Sequence, residues 1–108
     1  MKIGIVGPDS GGMSVSLLEK KMIAYIREED LSVYITVYPQ CEMEHYIDSI
    51  DVALVLPQIA FSLQTVKSVY EPKGIPVGII NTSHYASMNS EKILEYAYEL
   101  DNMCERDE

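Results

Sequence analysis

The amino-acid sequence predicts an α/β fold, a single open four-stranded parallel sheet with helices on both faces. Three observations predict it. Two short runs, Lys2-Ile3-Gly4-Ile5-Val6 and Asp51-Val52-Ala53-Leu54-Val55-Leu56, are apolar on both faces, as strands in the middle of a parallel sheet must be. Stretches with apolar residues at helical spacing alternate with the strand-like runs. The connections are short, so right-handed crossovers between parallel neighbours put helices on both sides of the sheet.

In chain order, Met1 to Val6 reads as the first, buried strand. Val15 to Glu29 reads as a helix, with Val15, Leu18, Met22, Tyr25 and Ile26 on one stripe and Glu19, Lys20, Arg27 and Glu28 elsewhere. Leu31 to Tyr38 is rich in β-formers but mixed in polarity, which predicts an edge strand ended by Pro39. Cys41 to Ile50 is expected as a short acidic helix, and Asp51 to Leu56 as a buried strand stopped by Pro57. A helix is expected over Phe61 to Tyr70, with Phe61, Leu63, Val66 and Val69 as its apolar positions, before the turn Glu71-Pro72-Lys73-Gly74. Pro76 to Ile80 is the fourth strand, and Ser90 to about Met103 the last helix, facing Ile93, Leu94, Ala97 and Leu100 inward. No internal repeat or linker interrupts this pattern, so residues 1–104 are expected as one domain and residues 105–108 as a frayed tail.

Composition narrows the partners. The 108 residues carry 17 Asp and Glu against 8 Lys and Arg, and a net charge of −9 opposes binding to nucleic-acid phosphates or anionic lipid headgroups. Cys41 and Cys104, two and far apart, fit a reduced cytoplasmic protein better than a disulfide scaffold. No apolar run approaches the roughly 20 residues that span a bilayer, so no direct membrane insertion is expected. Cys41 and His45 stand four apart and would make half a metal site, but no second pair completes it, and neither metal nor cofactor is expected. Tyr34, Tyr38, Tyr46, Tyr70, Tyr96 and Tyr98 are scattered, and most of them are expected as half-buried surface residues.

In open parallel sheets ligands bind outside the carboxyl ends of the strands. The loops there hold Gly7-Pro8-Asp9-Ser10-Gly11-Gly12-Met13-Ser14, Pro57-Gln58-Ile59-Ala60 and Asn81-Thr82-Ser83-His84-Tyr85-Ala86. The first is a phosphate-loop candidate: it joins a strand to a helix N-terminus, its glycines permit close backbone approach, and Ser14 can cap the helix or donate to bound oxygens. His84, in the last loop, is read chiefly as a solvated histidine and secondarily as a group that meets an incoming phosphoryl group.

Gly12-Met13-Ser14-Val15-Ser16-Leu17-Leu18, Pro57-Gln58-Ile59-Ala60, Glu71-Pro72-Lys73-Gly74-Ile75-Pro76-Val77, and Tyr85 with Met88-Asn89-Ser90-Glu91-Lys92 resemble, in collinear order, the enzyme IIB components of the lactose, cellobiose and chitobiose branch of the bacterial phosphotransferase system (PTS). The resemblance implies a fold similar to low-molecular-weight tyrosine phosphatases. It also implies a cytoplasmic phosphocarrier, a transferase component that takes a phosphoryl group from a histidine of enzyme IIA and passes it to a disaccharide held by the membrane enzyme IIC. The family's loop opens with a cysteine nucleophile. Counting back from Met13 puts that position at Asp9, and counting forward from the strand puts it at Gly7; neither is a thiol. Leu56 and Ala86 also stand where the family often has glycine. The candidate catalytic residue is therefore Asp9, with Ser10, Gly11, Gly12, Met13 and Ser14 as the phosphate loop and Pro57, Gln58, His84 and Tyr85 flanking it. An Asp9 carboxylate can accept a phosphoryl group as an acyl phosphate, or it can occupy the loop's N–H groups itself. Ser10 and Ser14 are weaker acceptors. The alternative function is a divergent, non-catalytic IIB-like interaction or regulatory module. A phosphatase-like hydrolase ranks last, because its loop arginine is absent as well.

Overall fold

In the computed structural model, which describes residues 1–8 and 13–105 and only the backbone at 13, 14 and 103–105, the strands β1 (Lys2–Gly7), β2 (Tyr34–Pro39), β3 (Val52–Val55) and β4 (Val77–Ile79) form one parallel sheet. Its order is β2-β1-β3-β4. The register runs from Lys2 beside Tyr34 to Gly7 beside Pro39, from Ile3 beside Val52 to Val6 beside Val55, and from Ala53 beside Val77 to Val55 beside Ile79. The fold class matches the expectation from sequence, and so does the division between centre and edge. β1 and β3 are buried along their length apart from Lys2, whereas β2 alternates between exposed and half-buried residues up to Tyr38.

Strand alternation sorts the core into two layers. Ile3, Ile5, Val52 and Leu54 point to one face, where Leu18, Met22 and Ile26 of α1 (Met13–Glu28) and Ile93, Leu94 and Ala97 of α4 (Ser90–Glu105) cover them. Val6, Ala53, Val55 and Val77 point to the other, under Met43, Ile59, and Val66 and Tyr70 of α2 (Leu63–Tyr70). A further short helix, α3 (Thr82–Ala86), lies between β4 and α4.

Four expectations are corrected. The stretch expected as the helix Cys41 to Ile50 is a 3₁₀ segment, Gln40–Tyr46, started by Pro39 without a side-chain cap. The Met43 carbonyl accepts a hydrogen bond from the Tyr70 hydroxyl, which diverts it from an α-helical ladder. Phe61 is not an inward position: Pro57–Ser62 is a separate 3₁₀ turn with Ile59 at φ −119°, ψ 38°, and α2 begins only at Leu63. Continued as a helix, Phe61 would stand about 140° from Val66 around the axis, off the stripe that Val66 and Tyr70 define; Ile59 fills the core instead. The Asn81–Ala86 stretch, read as loop, contains α3, because the Asn81 Oδ1 accepts from the Ser83 N–H at 2.8 Å and caps it. Finally, Tyr38 and Tyr70 are core residues with hydroxyls 2.8 Å apart, and the Tyr38 ring stacks on Tyr46 at 4.0 Å between centroids.

α1 ends in a Schellman arrangement, with the Leu31 N–H on the Ile26 carbonyl at 3.0 Å and the Asp30 N–H on the Arg27 carbonyl at 3.3 Å. Asp30 therefore sits at φ 55°, where glycine is the usual residue, and its carboxylate faces the negative end of the helix dipole. Asp30→Gly is expected to stabilise the fold by about 1 kcal/mol, raising Tm by roughly 5 °C. A thermal melt in which Asp30→Gly unfolds at or below the wild-type temperature would count against this account.

Candidate functional site

The chain leaves β1, builds β2 on one side and returns to build β3 on the other, so the carboxyl ends of β1 and β3 flank the switch point where such sheets form a crevice. The phosphate-loop residues Asp9, Ser10, Gly11 and Gly12 lie outside the described residues. The described residues on either side are Gly7 and Pro8, at the end of β1, and Met13 and Ser14, the first two residues of α1. The first-turn amide groups of α1 have no carbonyl partners within the helix, which makes this end of the sheet attractive to an anion.

Gly7 is the last residue of β1 and is buried. A Cβ on it would point to the face of Ile3 and Ile5 and lie 3.1 Å from the Leu56 Cδ1. A side chain at this position therefore packs against the core rather than reaching out past the strand end.

Two of the flanking loops are tied together. Pro57 starts the 3₁₀ turn after β3, and the Gln58 Nε2 next to it donates to the Tyr85 hydroxyl on α3 at 2.7 Å. Gln58 and Tyr85 thus bridge the strand ends of β3 and β4. His84 is not part of this bridge. It lines a groove of about 480 Å³ with Asn81, Lys92, Glu95, Tyr96 and Glu99, between the end of β4 and α4. The backbone after α3 is held by the Asn89 N–H on the His84 carbonyl at 2.9 Å and the Met88 N–H on the Tyr85 carbonyl at 3.0 Å, with Met88 at φ 52°. The Asn89 Oδ1 then accepts from the Lys92 N–H at 3.1 Å and caps α4.

Cys41 follows the strand that neighbours β1. Pro39 pairs with Gly7, so Cys41, two residues further on, leaves the sheet at the same edge as the phosphate-loop segment. Its side chain is exposed. The signal was available once β1 and β2 were taken as parallel neighbours, because residues that follow paired strand ends share an edge. Cys104 belongs to α4. Among the described residues, no three His, Cys, Asp or Glu side chains gather where they could hold a metal ion, and no helix is long and apolar enough to cross a membrane.

The model of the lactose/cellobiose-specific IIB subunit of the PTS system matches residues 10–96. Among solved structures, the chain is similar to the cellobiose-specific phosphotransferase IIB component protein from Borrelia burgdorferi, at 31% identity over 94% of both chains and a TM-score of 0.74. It is also similar to the lactose-specific IIB component domain of the phosphoenolpyruvate:carbohydrate phosphotransferase system from Streptococcus pneumoniae, at 16% identity over 93% of this chain and 96% of that one, with a TM-score of 0.78. The second likeness is one of fold.

Proposed function

Because the chain belongs to the lactose/cellobiose-specific IIB subunit family of the PTS, we propose that it is a cytoplasmic phosphoryl carrier, a single domain over residues 1–104, which uses Asp9 where relatives use cysteine. Enzyme IIA supplies the phosphoryl group and enzyme IIC presents the sugar. An Asp9 carboxylate oxygen attacks the phosphorus of the IIA phosphohistidine; the P–O bond forms as the P–N bond breaks, and the imidazole leaves with the electron pair and takes a proton from solvent. In the second step a hydroxyl of the IIC-bound sugar attacks the same phosphorus, loses its proton to solvent, and releases Asp9 as a carboxylate. The N–H groups of residues 10–14 hold the phosphoryl oxygens in both steps, the role that a cation plays in other aspartyl-phosphate chemistry. Pro57, Gln58 and Tyr85 belong to the other loops at the carboxyl edge of the sheet, and His84 lines the groove beside α4.

The observation that carries this reading is the position of the segment's two described ends. Gly7 and Met13 lie at the carboxyl end of β1 and the start of α1, beside the switch point, where a loop carrying a phosphoryl group is open to a partner protein. The missing thiol favours one competing reading, a IIB-like module that binds IIA or IIC without carrying phosphate.

Intact-mass spectrometry separates the two. The protein is incubated with phosphoenolpyruvate, the general PTS proteins and a lactose/cellobiose-type IIA, as wild type, Asp9→Asn and Cys41→Ser. One added phosphoryl group that hydroxylamine removes, that Asp9→Asn abolishes and that Cys41→Ser retains is the expected result. A label that resists hydroxylamine and disappears in Cys41→Ser would move the chemistry to that thiol. No label, while the same IIA phosphorylates a cysteine-containing IIB, would leave the binding module as the reading.

A further inference from the structure

β2 closes the sheet on one side, and its outer edge is open. The Tyr34 N–H donates to the Met1 carbonyl at 2.9 Å, and in a parallel ladder alternate residues bond the neighbouring strand, so Tyr34, Thr36 and Tyr38 turn their backbone groups to β1. Val33, Ile35 and Val37 turn theirs outward, where no backbone group among the described residues meets them. Edge strands are commonly guarded by a lysine, a proline or a bulge. Here residues 31–41 carry no charge in a chain whose net charge is −9, Pro39 stands only at the strand's end, and Tyr34 (69% exposed) and Thr36 are open to solvent. The opposite edge strand, β4, is three residues long with Val77 and Gly78 buried, and offers no such template.

A groove of about 460 Å³ runs beside β2, lined on the α1 side by Ile23, Arg27 and Asp30 and on the strand side by Val33, Tyr34 and Ile35. Glu19, Ile23 and Arg27 stand four residues apart and share that flank of α1, with the half-buried Ile23 in the middle. Lys20 and Asp30, exposed beside them, add one charge of each sign. At the ends of the strand, Lys2 stands beside Tyr34 with the Asp51 carboxylate on its N–H, and Glu42 and Glu44 follow Pro39.

We infer that this edge binds a second copy of the chain, with β2 paired antiparallel to its counterpart about a two-fold axis at Ile35 into one continuous sheet. The axis sets Ile35 against Ile35 and Val33 against Val37 as hydrogen-bonded pairs. On the open face it sets Tyr34 of each copy against Thr36 of the other, an aromatic beside a β-branched residue. The same axis reverses α1. Ile23 lines the groove with Ile35, so the two copies of Ile23 close it near the axis, and Glu19 of each copy meets Arg27 of the other. The Lys2 end of one strand comes to the Glu42 and Glu44 end of its counterpart. An edge whose charges complement themselves under a two-fold selects its own copy over an unrelated strand. The carboxyl edges of the two sheets point in opposite directions, so each proposed relay site stays open, and the dimer does not depend on phosphoryl transfer.

Sedimentation equilibrium of the full chain over about 1–500 µM reads the association, and the wild type is expected to dimerise within that range. Thr36→Lys sets a lysine against Tyr34 of the second copy and is expected to weaken the dimer about 30-fold or more. Arg27→Glu sets a carboxylate against Glu19 and should weaken it about tenfold. Glu19→Arg combined with Arg27→Glu exchanges the two charges and should return the affinity to within about threefold of wild type. Thr36 and Arg27 are exposed and Glu19 is half-buried at the surface, so the fold should be kept in each variant, which circular dichroism checks. A monomer throughout the range would overturn the proposal and leave the edge to a strand of another protein. A dimer indifferent to Thr36→Lys would overturn it too, and so would a double exchange that binds no tighter than Arg27→Glu alone, because the two-fold pairing is what brings Glu19 and Arg27 together.

Discussion

Restoring a cysteine at position 9 is expected to give a protein that takes up a phosphoryl group from phosphorylated IIA at least ~100-fold faster than the same change at position 7. Both positions meet the family's motif on sequence counting, and they differ in where a side chain goes. Gly7 is the last residue of β1, paired with Pro39, and a substituent on it heads for the Leu56 side chain 3.1 Å away. A thiol there meets apolar surroundings that hold it protonated and a neighbour that must give way, which is expected to cost about 1 kcal/mol of stability. Asp9 lies past Pro8 on the segment that feeds the N-terminus of α1, and a thiolate near a helix N-terminus is favoured by the dipole. Both variants are made on a Cys41→Ser background, since Cys41 leaves the sheet at the same edge. Intact mass after incubation with IIA reads the result, and hydroxylamine should leave the Asp9→Cys product untouched because a thiophosphate ester replaces the acyl phosphate. Uptake by Gly7→Cys but not by Asp9→Cys would shift the nucleophile position to 7 and remove Asp9 from the proposed relay.

The sheet was legible because its two central strands have to be apolar on both sides. Ile3, Ile5, Val52 and Leu54 bury on one face and Val6, Ala53 and Val55 on the other, so no polar alternation hides them in the sequence. The stripes of α1 and α4 were legible for the corresponding helical reason, and the mixed polarity of β2 marked it as an edge, whereas the apolar β4 gave no sign that it is the other edge. The 3₁₀ pieces Gln40–Tyr46 and Pro57–Ser62 were not legible. Met43, Tyr46, Ile47 and Ile50 have the spacing of an α-helix, but the carbonyl of Met43 is taken by the hydroxyl of Tyr70, a residue 27 positions away. Phe61 reads as one more apolar residue at the start of a helix, and only the kink at Ile59 turns it outward. Tyr38 could not be told from the exposed Tyr34, because what buries it is Gly4: a Cβ at that position would press into the Tyr38 hydroxyl and lie 2.9 Å from the Ile50 Cδ1. Of the site, sequence located the edge of the sheet and the three loops, but the Gln58–Tyr85 bridge and the place of Cys41 depend on which strands are neighbours.

Removing one oxygen from Tyr70 is expected to destabilise the protein more than removing one from Tyr38, although the two hydroxyls share a hydrogen bond. Tyr70 donates its proton to the Met43 carbonyl, so in the 2.8 Å contact Tyr38 must be the donor and Tyr70 the acceptor. Tyr70→Phe therefore strands two buried groups, the Met43 carbonyl and the Tyr38 hydroxyl, and should cost about 2–3 kcal/mol. Tyr38→Phe leaves the bond from Tyr70 to Met43 intact and should cost about 1 kcal/mol. Both phenols are held above the usual tyrosine range, Tyr38 by burial and then by the proton it gives to Tyr70, Tyr70 by burial against the opposing pull of the same bond. The stability this contributes is fully present below about pH 10, where unfolded tyrosines are still protonated. Above that pH the unfolded chain releases protons that the folded one keeps, so stability falls as pH rises. Denaturant titrations at pH 7 and across pH 9.5–11 test both statements: the wild type should lose stability through the alkaline window, and the two variants should start lower and lose it less steeply. Equal losses for Tyr70→Phe and Tyr38→Phe at pH 7 would mean that the Met43 carbonyl finds another donor and that the direction assigned to the pair is wrong.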